Sequence, residues 1–426
     1  MEKKTLQQAG LLTALLLLTL PGLLNGAPLT LEETVRLVKE NNPTLKAAAE
    51  EINAADARIR QNQSAYYPQI SASAGYTWVD PVPEVRFGSM PAMKMAPNDN
   101  YEAKITAKAT LFDFGKRGDG VAIARAGKNA AVHSLDIARR DISYQTVQLF
   151  YGIIFLRESV RVQEKEIAAL QKAKNNTSKR YNAGTATRFD VLSTDVRIQA
   201  ARSKKLSLEH QLRRQEITLR RLTGLPPSDP LNLKGSFSVH PERADSQLLV
   251  ADALQHRPEL KLAAEHEISA KHRHSTAIKN GLPVVSGLAS WGYSTGIQPN
   301  IDEMREKIVA GIQIELPLFT GFRTSAERQE AAAQLRAAAE RRLDTEQQIK
   351  SDVEETLHAL ESSRENILTT ESQVQQAKLA AEHARARYEN GMATTLDLLD
   401  TEAALGMAEL ARLQAAYDYE IGRAHV

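Results

Sequence analysis

Arg180-Tyr181-Asn182-Ala183-Gly184-Thr185-Ala186-Thr187-Arg188-Phe189-Asp190-Val191-Leu192 returns 207 positions later (387 − 180 = 207) as Arg387-Tyr388-Glu389-Asn390-Gly391-Met392-Ala393-Thr394-Thr395-Leu396-Asp397-Leu398-Leu399. In each copy a glycine stops one helix. A threonine followed three residues later by an aspartate then starts the next as a capping box. Each phrase therefore reads as the short turn of a helical hairpin. Leu111-Phe112 and Leu318-Phe319 share the same offset, so the stretch between has equal length in both halves. Upstream, Asn42-Pro43-Thr44-Leu45-Lys46 matches Arg257-Pro258-Glu259-Leu260-Lys261, and Pro68 matches Pro283. A long period read twice indicates two copies of one unit, not a solenoid of many short repeats.

Working outward, helical patterns run from about 116 to 183 and from about 324 to 390. Unbroken, each would reach roughly 100 Å at 1.5 Å per residue. Return helices follow over about 188–222, ended by Gly224 and Pro226-Pro227, and over about 395–422. Before them, apolar residues at threes and fours from Leu31 to about Tyr66 predict one helix, opened by a Thr30–Glu33 capping box and ended by Pro68. Aromatics make up only 5% of the chain. So much helix with so few large apolar groups cannot fill a globular core, and suits long helices packed as coiled coils.

Between helices the period changes to two. Ile70, Ala72, Ala74, Tyr76 and Trp78 alternate with polar residues, and Tyr101 to Leu111 alternates against Glu102, Lys104, Thr106, Lys108 and Thr110. The second half repeats this less cleanly over Val285–Tyr293, where Leu288 is an exception, and from Ile308 to Leu316 against Lys307, Val309, Gly311, Gln313 and Glu315. The expected strands are about 69–79, 101–112, 284–295 and 304–318, long enough to cross a membrane when tilted. A soluble sheet with one solvated face gives the same alternation. Four strands cannot close a barrel, which needs about eight or more, so the chain must oligomerise.

Lys3 and Lys4, an apolar run from Ala9 to Leu24 and small residues at Asn25-Gly26-Ala27 read as a secretory signal peptide over residues 1–27. Later windows lack the roughly 18 apolar residues of a membrane helix. If the exported chain enters a membrane, strands take it there. There is no cysteine, so disulfides and thiolate metal sites do not arise. A net charge of +2 with 25% charged residues argues against nucleic acid.

The repeated Arg-Tyr-x-x-Gly-x-x-x-x-x-Asp-x-Leu phrase resembles the TolC-like outer-membrane efflux family. Thr30-Leu31-Glu32-Glu33, Asn42-Pro43-Thr44-Leu45-Lys46 and Tyr67-Pro68-Gln69-Ile70 resemble it too, in order and in both halves. The resemblance implies a mostly α fold with a membrane β-barrel and two efflux repeats, 28–235 and 236–426. It implies a homotrimer in which each chain gives four strands to a 12-stranded barrel in outer-membrane lipid. Long coiled-coil hairpins continue as a periplasmic tunnel. The function implied is passive export for a tripartite pump or type I secretion system, with a periplasmic adaptor and an inner-membrane pump as partners. The rival reading is a soluble or surface-attached periplasmic coiled-coil scaffold or adhesin.

By the same resemblance, the turns bearing Gly184, Thr185, Gly391 and Met392 contact the adaptor. Asp397 and Asp400 match carboxylate rings at the tunnel's constriction, where like charges would raise one another's pKa and attract cations. Asp397 also has its capping box with Thr394 as a reason to be there. Tyr388 and Asp190 match a clasp that holds the tip closed. The family's arginine in that clasp is replaced here by Ala393, with Arg188 nearby on the other hairpin. Among other features, His256, His266, His272 and His274 read as a solvated helix face, not a metal site. Arg117-Gly118-Asp119 reads as a strand-to-helix turn. No catalytic motif is found, and neither a cofactor nor nucleic acid is expected.

Overall fold

The computed structural model describes residues 28–226, 231–237 and 245–425. The signal peptide read over 1–27, and Pro227 behind the first return helix, lie outside them. No described helix is long and apolar enough to cross a membrane. The described residues divide into two compact units, one of residues 28–40, 146–226, 231–237 and 370–417, the other of 41–145, 245–369 and 418–425.

The second unit contains the sheet. Strands β1 (Gln69–Trp78), β4 (Asp99–Phe112), β5 (Val284–Ser294) and β6 (Arg305–Glu315) lie side by side in that order, every pair antiparallel. Between β1 and β4 a small hairpin pairs β2 (Glu84–Val85) with β3 (Met93–Lys94). The register sorts the side chains as alternation requires. Ala72, Ile105, Trp291 and Ile308 lie in one row; Ser73, Lys104, Gly292 and Lys307 form the next, on the opposite face. The first face is apolar yet bare, with Ile308 71% and Ile312 72% exposed. At Gly292 an added Cβ would stand 2.5 Å from the Cα of Lys104 and closer still to the carbonyl of Ala103. Only glycine lets β5 approach β4 there.

Helices α2 (Pro43–Gln63) and α6 (Pro258–Lys279) lead into β1 and β5, while β4 and β6 run on into α3 (Lys116–Asn182) and α7 (Arg323–Glu389). Polar pairs give the same neighbour order as the strands. Lys128 of α3 meets Asp56 of α2 at 2.9 Å, Asn129 of α3 meets Glu265 of α6 at 3.1 Å, and Arg342 of α7 meets Glu267 of α6 at 2.9 Å. At the strand-to-helix corners Phe114 and Phe322 adopt positive φ, 56° and 65°, a strained conformation for an aromatic residue. Asp113 holds the first corner by accepting from the amides of Gly115 and Arg117 and from Arg117 Nε.

The single helix expected from Leu31 to Tyr66 is in fact two. α1 (Leu31–Asn41) ends where buried Asn42 turns extended and caps α2, its side chain accepting from the Thr44 amide at 2.9 Å. Pro43 follows at the first helical turn, where its missing N–H costs nothing. The second copy breaks at the same place, between α5 (Ser246–His256) and α6, at Arg257 before Pro258. His272 is also not on a freely solvated face. Its Nδ1 lies 2.9 Å from Asp119 in the first turn of α3, which also accepts from Ser275 Oγ at 2.8 Å and Lys279 Nζ at 2.6 Å. Burial pushes the Asp119 carboxyl up, but these hydrogen bonds outweigh it and hold it below the usual aspartate range.

In the first unit the lower part of α3 packs with α4 (Arg188–Thr223), and the lower part of α7 packs with α8 (Thr395–His425). Phe150, Ile153 and Leu219 are fully buried, and a short parallel bridge joins Leu29 to Leu233. Further along, Leu170, Ala173, Ile198, Ala201, Tyr388, Leu398 and Leu399 form one buried cluster drawn from all four helices.

Candidate functional site

The two hairpin turns lie in this first unit, and their backbones follow from their residues. Gly184 takes φ +75° and Gly391 +76°, the left-handed conformation that ends a helix. The Thr185 amide returns to the Arg180 carbonyl at 2.8 Å, and the Met392 amide to that of Arg387 at 2.8 Å. Both capping boxes form. The Asp190 amide donates to Thr187 Oγ1 at 3.2 Å, and Asp190 Oδ2 accepts from the Thr187 amide at 2.8 Å. Asp397 and Thr394 repeat this at 3.1 and 2.9 Å. Gly184, Thr185, Gly391 and Met392 are all exposed.

These caps also set the charge of the two aspartates. The Thr187 hydroxyl and then its amide hold the Asp190 carboxyl below the usual range, with a smaller lowering from Thr395 on the second hairpin. The Thr394 amide and then its hydroxyl do the same for Asp397. Both are anions at neutral pH.

The clasp expected between Tyr388 and Asp190 is not formed within the chain, because each group has a nearer partner. Asp190 completes its own capping box, and the hydroxyl of buried Tyr388 lies 2.8 Å from Thr177 Oγ1 on α3. The cation that meets Tyr388 is Arg180 of the first hairpin, not Arg188. Arg180 stacks its guanidinium 4.9 Å from the centre of the Tyr388 ring and donates to the Tyr388 carbonyl at 3.3 Å.

Asp400 is exposed and bridged to Arg197 of the first hairpin, Nη2 to Oδ1 at 2.6 Å. Glu402, buried two residues on, is held by Arg385 in a two-pronged pair, Nη2 to Oε2 at 2.6 Å. The hairpins are therefore cross-linked by Thr177–Tyr388, Arg180–Tyr388 and Arg197–Asp400. Sequence reading missed Thr177, Arg180 and Arg197 as partners. Arg180 sat in the repeated phrase and could have been flagged; nothing in the local pattern marks the other two. No group of His, Cys, Asp or Glu that could hold a metal ion occurs among the described residues.

The arrangement presents exposed carboxylates beside side-chain contacts that join the two hairpins. The family profile described as "Outer membrane efflux protein" matches residues 34–225 and 249–425. The outer membrane efflux protein BepC of Brucella suis is 24% identical over 405 residues, covering 93% of this chain and 86% of its own. The alkaline protease secretion protein AprF of Pseudomonas aeruginosa is 24% identical over 409 residues, covering 93% and 82%. The outer membrane protein TolC of Vibrio cholerae is 23% identical over 398 residues, covering 91% and 87%. The crystal structure of VceC from Vibrio cholerae has the same fold, with a TM-score of 0.79 at 23% identity over 93% of this chain and 95% of that one. With the profile running through both copies of its repeat, the chain belongs to the outer membrane efflux protein family and is a TolC-like transport protein of the outer membrane.

Proposed function

We propose that the protein is the passive exit duct of a tripartite efflux pump or type I secretion system. Three copies would share one twelve-stranded barrel, gated at the helical tip. One observation carries this reading: a four-stranded sheet with free edges at β1 and β6 and a bare apolar face. An open sheet cannot satisfy its edge N–H and C=O groups in lipid, whereas three sheets joined edge to edge can. Lys104 and Lys307 on the opposite face suit a water-filled lumen. The names of AprF and BepC, a secretion protein and an efflux protein, fit the same role.

In this duct the transported solute meets no chemistry. The chain's contribution is a wet path and a closure. Arg197–Asp400 and the contacts of Tyr388 hold the two hairpins together, and a periplasmic adaptor meeting Gly184, Thr185, Gly391 and Met392 would loosen them. Three copies of Asp400 and Asp397 around the axis would concentrate cations at the constriction. Energy comes from an inner-membrane pump.

The test is native mass and conductance of the mature protein extracted from membranes in mild detergent. A trimer from the outer-membrane fraction that conducts in a planar bilayer is expected, with Asp400→Ala weakening block by divalent and trivalent cations. A water-soluble monomer without conductance would support the coiled-coil scaffold instead. Unchanged block in Asp400→Ala would remove the gate assignment while leaving the duct.

A further inference from the structure

The loop joining β1 to β4 carries three of the chain's seven methionines within six residues, Met90-Pro91-Ala92-Met93-Lys94-Met95. All three are exposed, Met90 by 67%, Met93 by 49% and Met95 by 46%. A polar turn has no conformational need for them; turns are built with Gly, Pro, Asn, Asp and Ser. The chain has no cysteine, so thioethers are its only sulfur.

The backbone gathers the three on one small hairpin. Val85 pairs with Met93 and Glu84 with Lys94, the Met95 amide donates to the Pro83 carbonyl at 2.9 Å, and the Met90 amide closes a turn on the Phe87 carbonyl at 3.2 Å. Alternation along β3 puts Met93 and Met95 on one face and Lys94 with its partner Glu84 on the other. The Lys94 ammonium reaches Asn98 Oδ1 at 2.9 Å. Met90 lies three residues before Met93, a span of at most about 10 Å even in extended chain. Three flexible, unbranched arms can close that distance onto one ion.

The donor set chooses the ion. Neutral, polarisable thioethers select soft monovalent copper, while hard cations need oxygen ligands and zinc prefers thiolate, imidazole or carboxylate. The hairpin's one paired carboxylate, Glu84, is on the far face, and the neighbouring Lys94 penalises a divalent ion more than a monovalent one. We propose that Met90, Met93 and Met95 form a three-thioether binding site for a soft monovalent cation, copper(I) or silver(I), on the loop between β1 and β4. The site is complete within one loop of one chain, so it stands apart from the duct reading.

Silver(I), which needs no reductant, is the probe. The full-length protein in detergent and chloride-free buffer is titrated with silver nitrate, and free silver is read with an ion-selective electrode. One equivalent per chain is expected. Replacing all three residues (M90L, M93L and M95L together, a nearly volume-conserving change) should remove that equivalent or weaken it at least tenfold, while Met407→Leu retains it. Equal binding by the triple variant overturns the proposal, and is what a loop that merely wets a lipid surface would give. Displacement of the silver by equimolar zinc(II) or calcium(II) also overturns it. If the triple variant fails to fold, peroxide oxidation of the wild type decides, read by peptide mass spectrometry. Silver must protect Met90, Met93 and Met95 and leave Met407 oxidised; no protection refutes the site.

Discussion

Tyr181 and Tyr388 occupy the same place in the same phrase and have opposite fates. Tyr388 is 3% exposed with its hydroxyl on Thr177, whereas Tyr181 is 46% exposed. Around them the two turns are nearly superposable in kind: matched left-handed glycines, matched main-chain bonds, matched capping boxes. Arg180 and Arg387 part in the same way. The first reaches across to the Tyr388 carbonyl; the second returns to the Met392 carbonyl of its own turn, at 3.3 Å in each case. Asp400 with its partner Arg197 stands where the first copy has only Ser193, which bonds the Asp190 carbonyl. Two copies of one local design thus divide the work. The second hairpin supplies the buried anchor and the acidic residues, and the first supplies the cations that meet them.

That division can be broken most forcefully at the tyrosines. Tyr388→Ala should cost about 3 kcal/mol, the usual result of truncating a fully buried aromatic. It should also raise amide exchange across residues 167–201, whereas Tyr181→Ala should fall within about 0.5 kcal/mol of the parent. Equal losses in thermal or denaturant melts would show that the asymmetry is not energetic. The glycines test the opposite expectation, symmetry. Gly184→Ala and Gly391→Ala each force a side chain into left-handed backbone, at about 1–2 kcal/mol. A marked inequality in their melts would mean that one turn is held by more than its own geometry.

The caps sharpen the same point at lower cost. Thr187→Ala and Thr394→Ala should each lose about 1 kcal/mol. The capping carboxylates of Asp190 and Asp397 are held below their ordinary range in the folded protein. Their contribution is therefore fully present above the unfolded value of about 3.9, and is lost as pH falls from there through the lowered folded values. Protection factors at the two turns, which correct for the slower intrinsic exchange in acid, should fall in parallel as pH drops below about 3.9; a turn whose protection is insensitive to acid would disprove its cap. The smallest effect is expected at the exposed Arg197–Asp400 pair. Arg197→Ala should cost no more than about 1 kcal/mol, yet still raise the open probability in bilayer recordings, because the pair joins the hairpins. Unaltered gating would dismiss it as a latch.

Much of this molecule was legible before its coordinates. The strands alternate because one face of each must be apolar, and Gly184, Gly391, Thr187 and Thr394 mark helix ends by backbone chemistry that acts within four residues. The break at Asn42 was also written there, since a proline after a capping asparagine signals a new helix, but the apolar periodicity ran through it and hid it. The candidate site was legible only in part. Asp190 and Asp397 were recognisable as caps, while the partners that Tyr388 and Asp190 take within the chain, Thr177 and Thr187, depend on tertiary packing and on the cap.

What the sequence by itself determined were the two repeats, the helical hairpins and their turns, and the alternating strands, all products of hydrogen bonds and sterics between near neighbours. Only the tertiary structure decided which tyrosine is buried, that Arg180 rather than Arg188 meets it, and that Asp400 finds Arg197 from 203 residues away. Those choices depend on which helix faces are brought into contact, and two copies with the same local pattern cannot encode that difference in their turns. The asymmetry arises in the packing of Leu170, Ala173, Ile198, Leu398 and Leu399 around one tyrosine and not the other.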